Sequence, residues 1–342
     1  MTRAFSDAQR EYLTAAEACE GSAGGLLATL RRLDPAALAP LPGSGRTAER
    51  FRFLATVAQA DVTAARVLEP HLDAVAILTE AGQRADAGHV WGVFAAEAPG
   101  TKLEASEDAQ SPGVWRLTGV KPWCSLGGRL SDALLTATTG SGARRLFRAD
   151  LTQAGVHPEP SAWVARGLAD VESGPLRFEA AVAEPVGEEG WYLERPGFRH
   201  GAIGVAACWW GGCVPLFDAL ATKAAREGTS PLATSRVGHL HRVLEAARLV
   251  LAHSAERIDA TGEGGIDDDA AAVLAHTARG AVADAVEETL SAARDILGPA
   301  SLGFDESVAR RCADLELYVS QYHRGPDDAS LFGHLPQGGL GW

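Results

Sequence analysis

The apolar residues of this chain change their spacing twice along its length, and that change constrains the fold more than any single motif does. Through residue 85 the sequence is rich in Ala, Leu and Arg, broken by Pro40-Leu41-Pro42-Gly43-Ser44-Gly45, with helical spacing resuming at Thr47. From His89 onward, short apolar runs separated by turn residues take over: HVWGVFAAEA, GVWRLTGVKPW, DALLTAT, RRLFRADL and LRFEAAVAEPVG. These have the length and composition of strands. After Pro196 the helical period returns. Val237, Leu240, Leu244, Ala247 and Leu251 step by three and four, as do Val282, Val286, Thr289, Ala293 and Ile296, which is the stripe of helices packed in a bundle. The pattern predicts an α+β chain with a helical segment over residues 1–85, a β-barrel or sandwich domain over 86–197 and a helical bundle over 198–342.

Seven of the eight tryptophans fall between Trp91 and Trp210, so aromatic surface concentrates in the β region and at its junction with the bundle, where a pocket is expected. The run Asp267-Asp268-Asp269 precedes a helical stripe and is expected to cap that helix rather than to bind a metal. A net charge of -13 disfavours nucleic acid or an anionic membrane surface as the main partner. No run of 18 uninterrupted apolar residues suggests membrane insertion, and the charged start lacks the apolar core of a signal peptide, so a cytoplasmic location is expected. The five cysteines are scattered, with no C-x-x-C pair; reduced, buried thiols and no zinc site are the expectation.

No dinucleotide-binding glycine fingerprint, phosphate loop, zinc-protease helix or nucleophile elbow is present. The most distinctive string is Leu117-Thr118-Gly119-Val120-Lys121-Pro122-Trp123-Cys124-Ser125, a strand entering a turn. Alternation along a strand would put Trp123 and Ser125 on one side, an indole face beside a hydroxyl, which suits a planar heterocycle. A core tryptophan next to a β-turn is the other reading.

That string resembles the L-x-G-x-K-x-W-I-S/T segment of the acyl-CoA dehydrogenases, and about three quarters of the chain is similar to that family. The resemblance implies FAD, with Trp123, Cys124 and Ser125 against the isoalloxazine. Upstream, Ala96-Glu97-Ala98 resembles the family's T-E-P loop, with Glu97 kept and the Thr hydroxyl lost at Ala96. Arg226 stands where the family's R-x-x-F-G motif begins, although the F-G is missing, and Ile296-Leu297-Gly298 matches part of a Q-x-x-G-G segment that touches FAD. The family builds this site across subunits, so a homodimer or homotetramer is implied, with the Arg226 region of one chain near the Ile296 to Pro299 region of another.

The largest departure concerns the base. Removing an α-proton from a CoA thioester while flavin takes the β-hydride requires a carboxylate near the α-carbon. The family's I-Y-E-G-T string aligns with Leu317-Tyr318-Val319-Ser320-Gln321, which puts Val319 in the place of the glutamate. The location used by other relatives falls near Gly201 and Ala202. Glu316 and His323 are the nearby substitutes, and Asp327 after Pro326 reads as a turn residue. Three readings follow: oxidation of a small-molecule substrate such as a CoA thioester by a displaced base; a flavin-dependent oxidase or monooxygenase that needs no such base; and a cofactor-free relative.

Overall fold

α1 (Asp7–Glu17) opens with a reciprocal capping box: Ser6 accepts from the Gln9 N–H while the Gln9 side chain accepts from the Ser6 N–H. α2 (Gly24–Leu30), α3 (Pro35–Leu38), α4 (Thr47–Ala60) and α5 (Val62–Glu80) complete the front of the chain. This computed structural model describes residues 5–108, 110–160, 163–226, 230–260 and 267–335. α4 and α5 are separated only by Asp61, which caps α5 by accepting from the N–H groups of Thr63 and Ala64. Inside α5, Pro70 has no N–H to give the Arg66 carbonyl one turn back. His71 on the same helix is buried against the sheet, where its Nδ1 accepts from the Trp91 N–H at 3.3 Å. Burial pushes its pKa down to about 4 and holds the ring neutral.

Among the described residues seven strands follow: β1 (Trp91–Phe94), β2 (Leu103–Glu107), β3 (Trp115–Ser125), β4 (Asp132–Thr138), β5 (Arg144–Asp150), β6 (Val156–Pro158) and β7 (Ser173–Val186). They hydrogen-bond in the order β1-β4-β2-β3-β7-β5, with β6 on β7, and β5 also pairs with β4, which closes the ring. The middle domain is therefore a small barrel. β2 and β6 are absent from the sequence expectation, because LEASE is mostly polar, with only Leu103 and Ala105 apolar, and β6 has three residues. β3 carries two irregularities. At the first, Gly119 has φ +121° and a Cβ there would lie 2.2 Å from the Lys102 carbonyl oxygen, so only glycine fits.

Helices resume with α6 (Trp191–Glu194), α7 (Pro196–Ala224), α8 (Pro231–Asp259) and α9 (Asp268–Ala292). A π-helical turn, Ala293–Leu297, leads into α10 (Gly298–Phe304), α11 (Glu306–Val319) and α12 (Arg324–Gly333). Asp267 caps α9 through the Ala270 N–H, the role expected for the acidic run. α7 is long and apolar enough by length and composition to cross a membrane, and 61% of its most apolar window is buried, packed by α4, α5, α8, α9 and α11. That is the position of a bundle's core helix. Its Gly211 and Gly212 permit the close approach: a Cβ on Gly211 would sit 2.2 Å from the Ala55 carbonyl, and one on Gly212 would sit 2.6 Å from Leu315. Trp209, fully buried, meets Tyr318 of α11 edge to face at 6.1 Å. The five thiols are free, but only Cys124, Cys208 and Cys213 are buried; Cys19 and Cys312 are half-exposed, which corrects the uniform expectation.

Candidate functional site

The second irregularity of β3 lies in its distinctive string. Lys121 pairs with Leu176 and Cys124 with Gly174, so three steps on β3 oppose two on β7: a β-bulge. Trp123 occupies the extra position with φ 59°, a left-handed conformation that costs a bulky residue roughly 1–3 kcal/mol. The residue stays 57% exposed. The alternation that was expected to put Trp123 and Ser125 on one side does not run through this bulge.

The neighbours of Trp123 are inward. Lys121 is buried and donates to the carbonyl and hydroxyl oxygens of Thr136, both at 2.9 Å; desolvation lowers its pKa to about 8, against the opposing pull of Glu97. The Cys124 thiol is also buried, 3.3 Å from the Lys121 carbonyl, and desolvation pushes it up to about 12. The Cys124 side chain therefore faces the core rather than the outer surface that Trp123 occupies. Ser125 Oγ lies 2.7 Å from Ser173 Oγ and accepts from Arg66 Nη2 at 2.8 Å, which ties the end of β3 to α5.

One turn along α5 from Arg66 stand Glu69 and Asp73, four residues apart and so on one face. Both are deeply embedded, yet each keeps part of its surface accessible, as side chains lining a crevice do. Neither forms a hydrogen bond or ion pair with another described residue. Burial and the neighbouring Asp73 push the Glu69 carboxyl up to about 7, while Arg66, Arg50 and Arg279 pull the other way. The Asp73 carboxyl is raised by burial against the pull of Arg195 and Arg50.

The far wall comes from the bundle. A Cβ on Gly201 of α7 would lie 2.7 Å from Asp73 Oδ1, so the absence of a side chain there leaves room for the carboxylate. The Arg66 guanidinium carbon sits 5.7 Å from the centre of the Tyr318 ring. That of Arg279 sits 4.8 Å from the Trp209 ring, and Arg279 donates to the carbonyls of Ala202 and Gln321 at 3.1 and 3.2 Å. α5, the end of β3, the start of α7 and the end of α11 thus meet around these groups, and the partly accessible space between them, with several charges rather than a lone one beside it, is the crevice.

The other residues expected at the site divide. Glu97 is exposed and ion-paired with Arg144. Arg226 is exposed at the end of α7, and residues 227–229 after it lie outside the described residues. Ile296 is half-buried, Leu297 buried, and Gly298 has φ +70°. The Leu297 carbonyl accepts from Lys223 Nζ at 2.9 Å, so the end of α7 and the π-helical turn already meet within one chain. Glu316 is exposed on α11 and His323 is exposed before α12, its backbone N–H donating to Asp327 Oδ2 at 2.9 Å. Asp327 therefore belongs to the first turn of a helix rather than to a free turn. Neither Glu316 nor His323 is enclosed as Glu69 and Asp73 are.

Among the described residues one trio, Asp86, His89 and Asp132, is close enough to hold a metal. Its groups are engaged by protein: His89 Nδ1 lies 2.5 Å from Asp132, and Arg148 pairs with Asp86 at 2.5 Å.

Comparison with known proteins gives this geometry a family context. The acyl-CoA dehydrogenase C-terminal domain matches residues 188–320. Among solved structures, the FMN-bound TdsC of Paenibacillus sp. A11-2, a dibenzothiophene monooxygenase, is 13% identical, with a TM-score of 0.78 over 96% of this chain and 94% of that one. KijD3, solved with FMN and dTDP-3-amino-2,3,6-trideoxy-4-keto-3-methyl-D-glucose, is 17% identical, with a TM-score of 0.79 over 98% and 96%. Butyryl-CoA dehydrogenase of Megasphaera elsdenii is 16% identical, with a TM-score of 0.74 over 97% and 99%. No curated protein matches by sequence. The chain therefore has the fold of the acyl-CoA dehydrogenases over nearly its whole length, and residues 188–320 are similar to that family's C-terminal domain.

Proposed function

We propose that this protein is a flavin-dependent oxidoreductase of the oxidase or monooxygenase kind, holding FMN or FAD against the β3 bulge and a small-molecule substrate in the crevice beside it. The observation that carries the reading is Trp123, a large aromatic residue that is 57% exposed and held in a left-handed backbone conformation. Strain of that kind persists where the surrounding structure over-determines it, and it clusters at ligand sites. The residues present fit a planar heterocycle: the Trp123 ring offers a stacking face, and Ser125 with Arg66 offers hydrogen bonds at its edge. A bound flavin would supply the two-electron redox chemistry.

The choice of reaction rests on the missing base. Val319 and Gly201 stand where dehydrogenase relatives keep a carboxylate, and a reaction between reduced flavin and O2 needs none there. TdsC and KijD3 were both solved with FMN, which supports the same reading. One observation favours the alternative of acyl-CoA oxidation: Asp73 packs against Gly201, so a carboxylate does reach that region from another helix. Anaerobic bleaching of the flavin by a CoA thioester would establish this second reading.

Replacing Trp123 by Ala is the direct test. We expect about a tenfold loss of flavin affinity by fluorescence titration, the scale of an aromatic stacking contact. Unchanged affinity would place the flavin elsewhere. Self-association belongs to the same proposal and is supported by Phe304, Phe332 and Leu232 on the bundle surface, which are 94%, 77% and 81% exposed. Light scattering should give a dimer or tetramer; a monomer would remove it.

A further inference from the structure

We propose that Glu69 is the acid–base residue of this site, with Asp73 as the like-charged group one turn along α5, and that the substrate presents to it an O–H or N–H group. This rests on the reading of the crevice as a substrate site, and it supplies the proton chemistry that Val319 and Gly201 cannot.

Three features lead to it. The two carboxylates lie on one face of α5 in a crevice between three parts of the fold, partly accessible although enclosed. They have no hydrogen-bond donor among the described residues, although a buried carboxylate without one is costly. A ligand donor entering the crevice would meet that need. Third, every element around Glu69 contributes a charged or titratable group. α5 gives Arg66 and Asp73, α4 gives Arg50, α9 gives Arg279, α7 gives Cys208 and α11 gives Tyr318. Arg195, Glu80 and Tyr192 stand around Asp73. The arginines admit a negative charge on Glu69, while burial and Asp73 oppose it. A group balanced in this way gives and takes a proton near neutral pH.

The step itself is a proton transfer. The substrate X–H bond, with X an oxygen or nitrogen, breaks as an O–H bond forms on the Glu69 carboxylate, and the electron pair stays on X. Arg66 and Arg279 would face the negative charge left on the substrate. Pro70, directly after Glu69, has no N–H to close the helical hydrogen bond to the Arg66 carbonyl.

The test needs neither the natural substrate nor flavin, so its failure leaves the flavin reading standing, and absence of flavin leaves this one standing. Binding of phenol and of anisole is measured by ligand-observed NMR on the full chain. Like the tyrosine side chain, phenol ionises only near pH 10, so between about pH 5.5 and 8.5 only the protein titrates. Phenol affinity is expected to rise as pH passes through about 7, where the Glu69 carboxylate ionises and accepts the hydroxyl proton in a charge-assisted bond. Anisole, which lacks the donor, should gain nothing. Glu69→Gln should lower phenol affinity at high pH by about tenfold or more and flatten its pH dependence. Should that variant fail to fold, Glu69→Asp is expected to keep the pH dependence with weaker binding. Phenol that does not bind, binds no better than anisole, or keeps its pH dependence in Glu69→Gln overturns the proposal.

Discussion

α5 and α11 both reach the crevice, and they bring opposite chemistry to it. α11 is the helix on which the family resemblance seeks a catalytic carboxylate. It offers the half-buried Val319, the fully enclosed Tyr318 and a Glu316 that stands in solvent. α5 carries no family motif, yet it supplies Arg66, Glu69 and Asp73 from one face, enclosed by arginines of two other helices. The contrast teaches that enclosure, more than place in a motif, equips a carboxylate for proton transfer. Burial disfavours its charged form, and a few fixed cations restore it part of the way.

The contrast can be broken most heavily from the α11 side. If α11 serves the crevice by packing, removing the ring on which Tyr318 rests should unfold rather than inactivate. Trp209→Ala is expected to cost about 3–5 kcal/mol, measured by denaturant unfolding, as for other large buried aromatics. A loss under about 1 kcal/mol would deny the helix that role.

Next in size is the effect of pH on α5. The Glu69 carboxyl is raised from its ordinary value of 4.5 to about 7, so the native state holds its proton more tightly than the unfolded chain does. Its stabilising contribution is complete below about pH 4.5 and is lost as pH rises through 7. Glu69→Gln has no such proton to lose. Its melting temperature should therefore gain on that of the native sequence as pH rises through this window; a constant difference would mean the carboxyl is not shifted.

The smallest effect should come from Glu316→Gln. An exposed carboxylate outside any network is expected to alter stability by no more than about 0.5 kcal/mol and to leave the phenol pH profile unchanged. A flattened profile in this variant would move the acid–base role to α11.

The sequence announces the architecture because hydrophobic period is a repeated signal: the stripes of α8 and α9 and the strands β1, β3, β4, β5 and β7 all stand where their spacing points. The site is less legible for particular reasons. Trp123 and its neighbours were visible as a motif, but a one-residue bulge cannot be read from composition, and it overturns the alternation argument. Glu69 and Asp73 are not legible in the sequence because two acids four residues apart on a helix ordinarily mark a solvated face. Their partners, Arg50, Arg195 and Arg279, are remote in sequence and join them only through folding. The signals that were present are Pro70 and His71 between the two acids, which are unusual on a solvated helical face.

The central claim is that the β3 bulge and the crevice beside it form a flavin site. Its most direct test is the visible absorption spectrum of gently purified protein, mixed with excess FMN or FAD and passed through gel filtration. The account predicts oxidised-flavin bands that travel with the protein and fade in Trp123→Ala. A protein that emerges colourless after incubation with either flavin would contradict it.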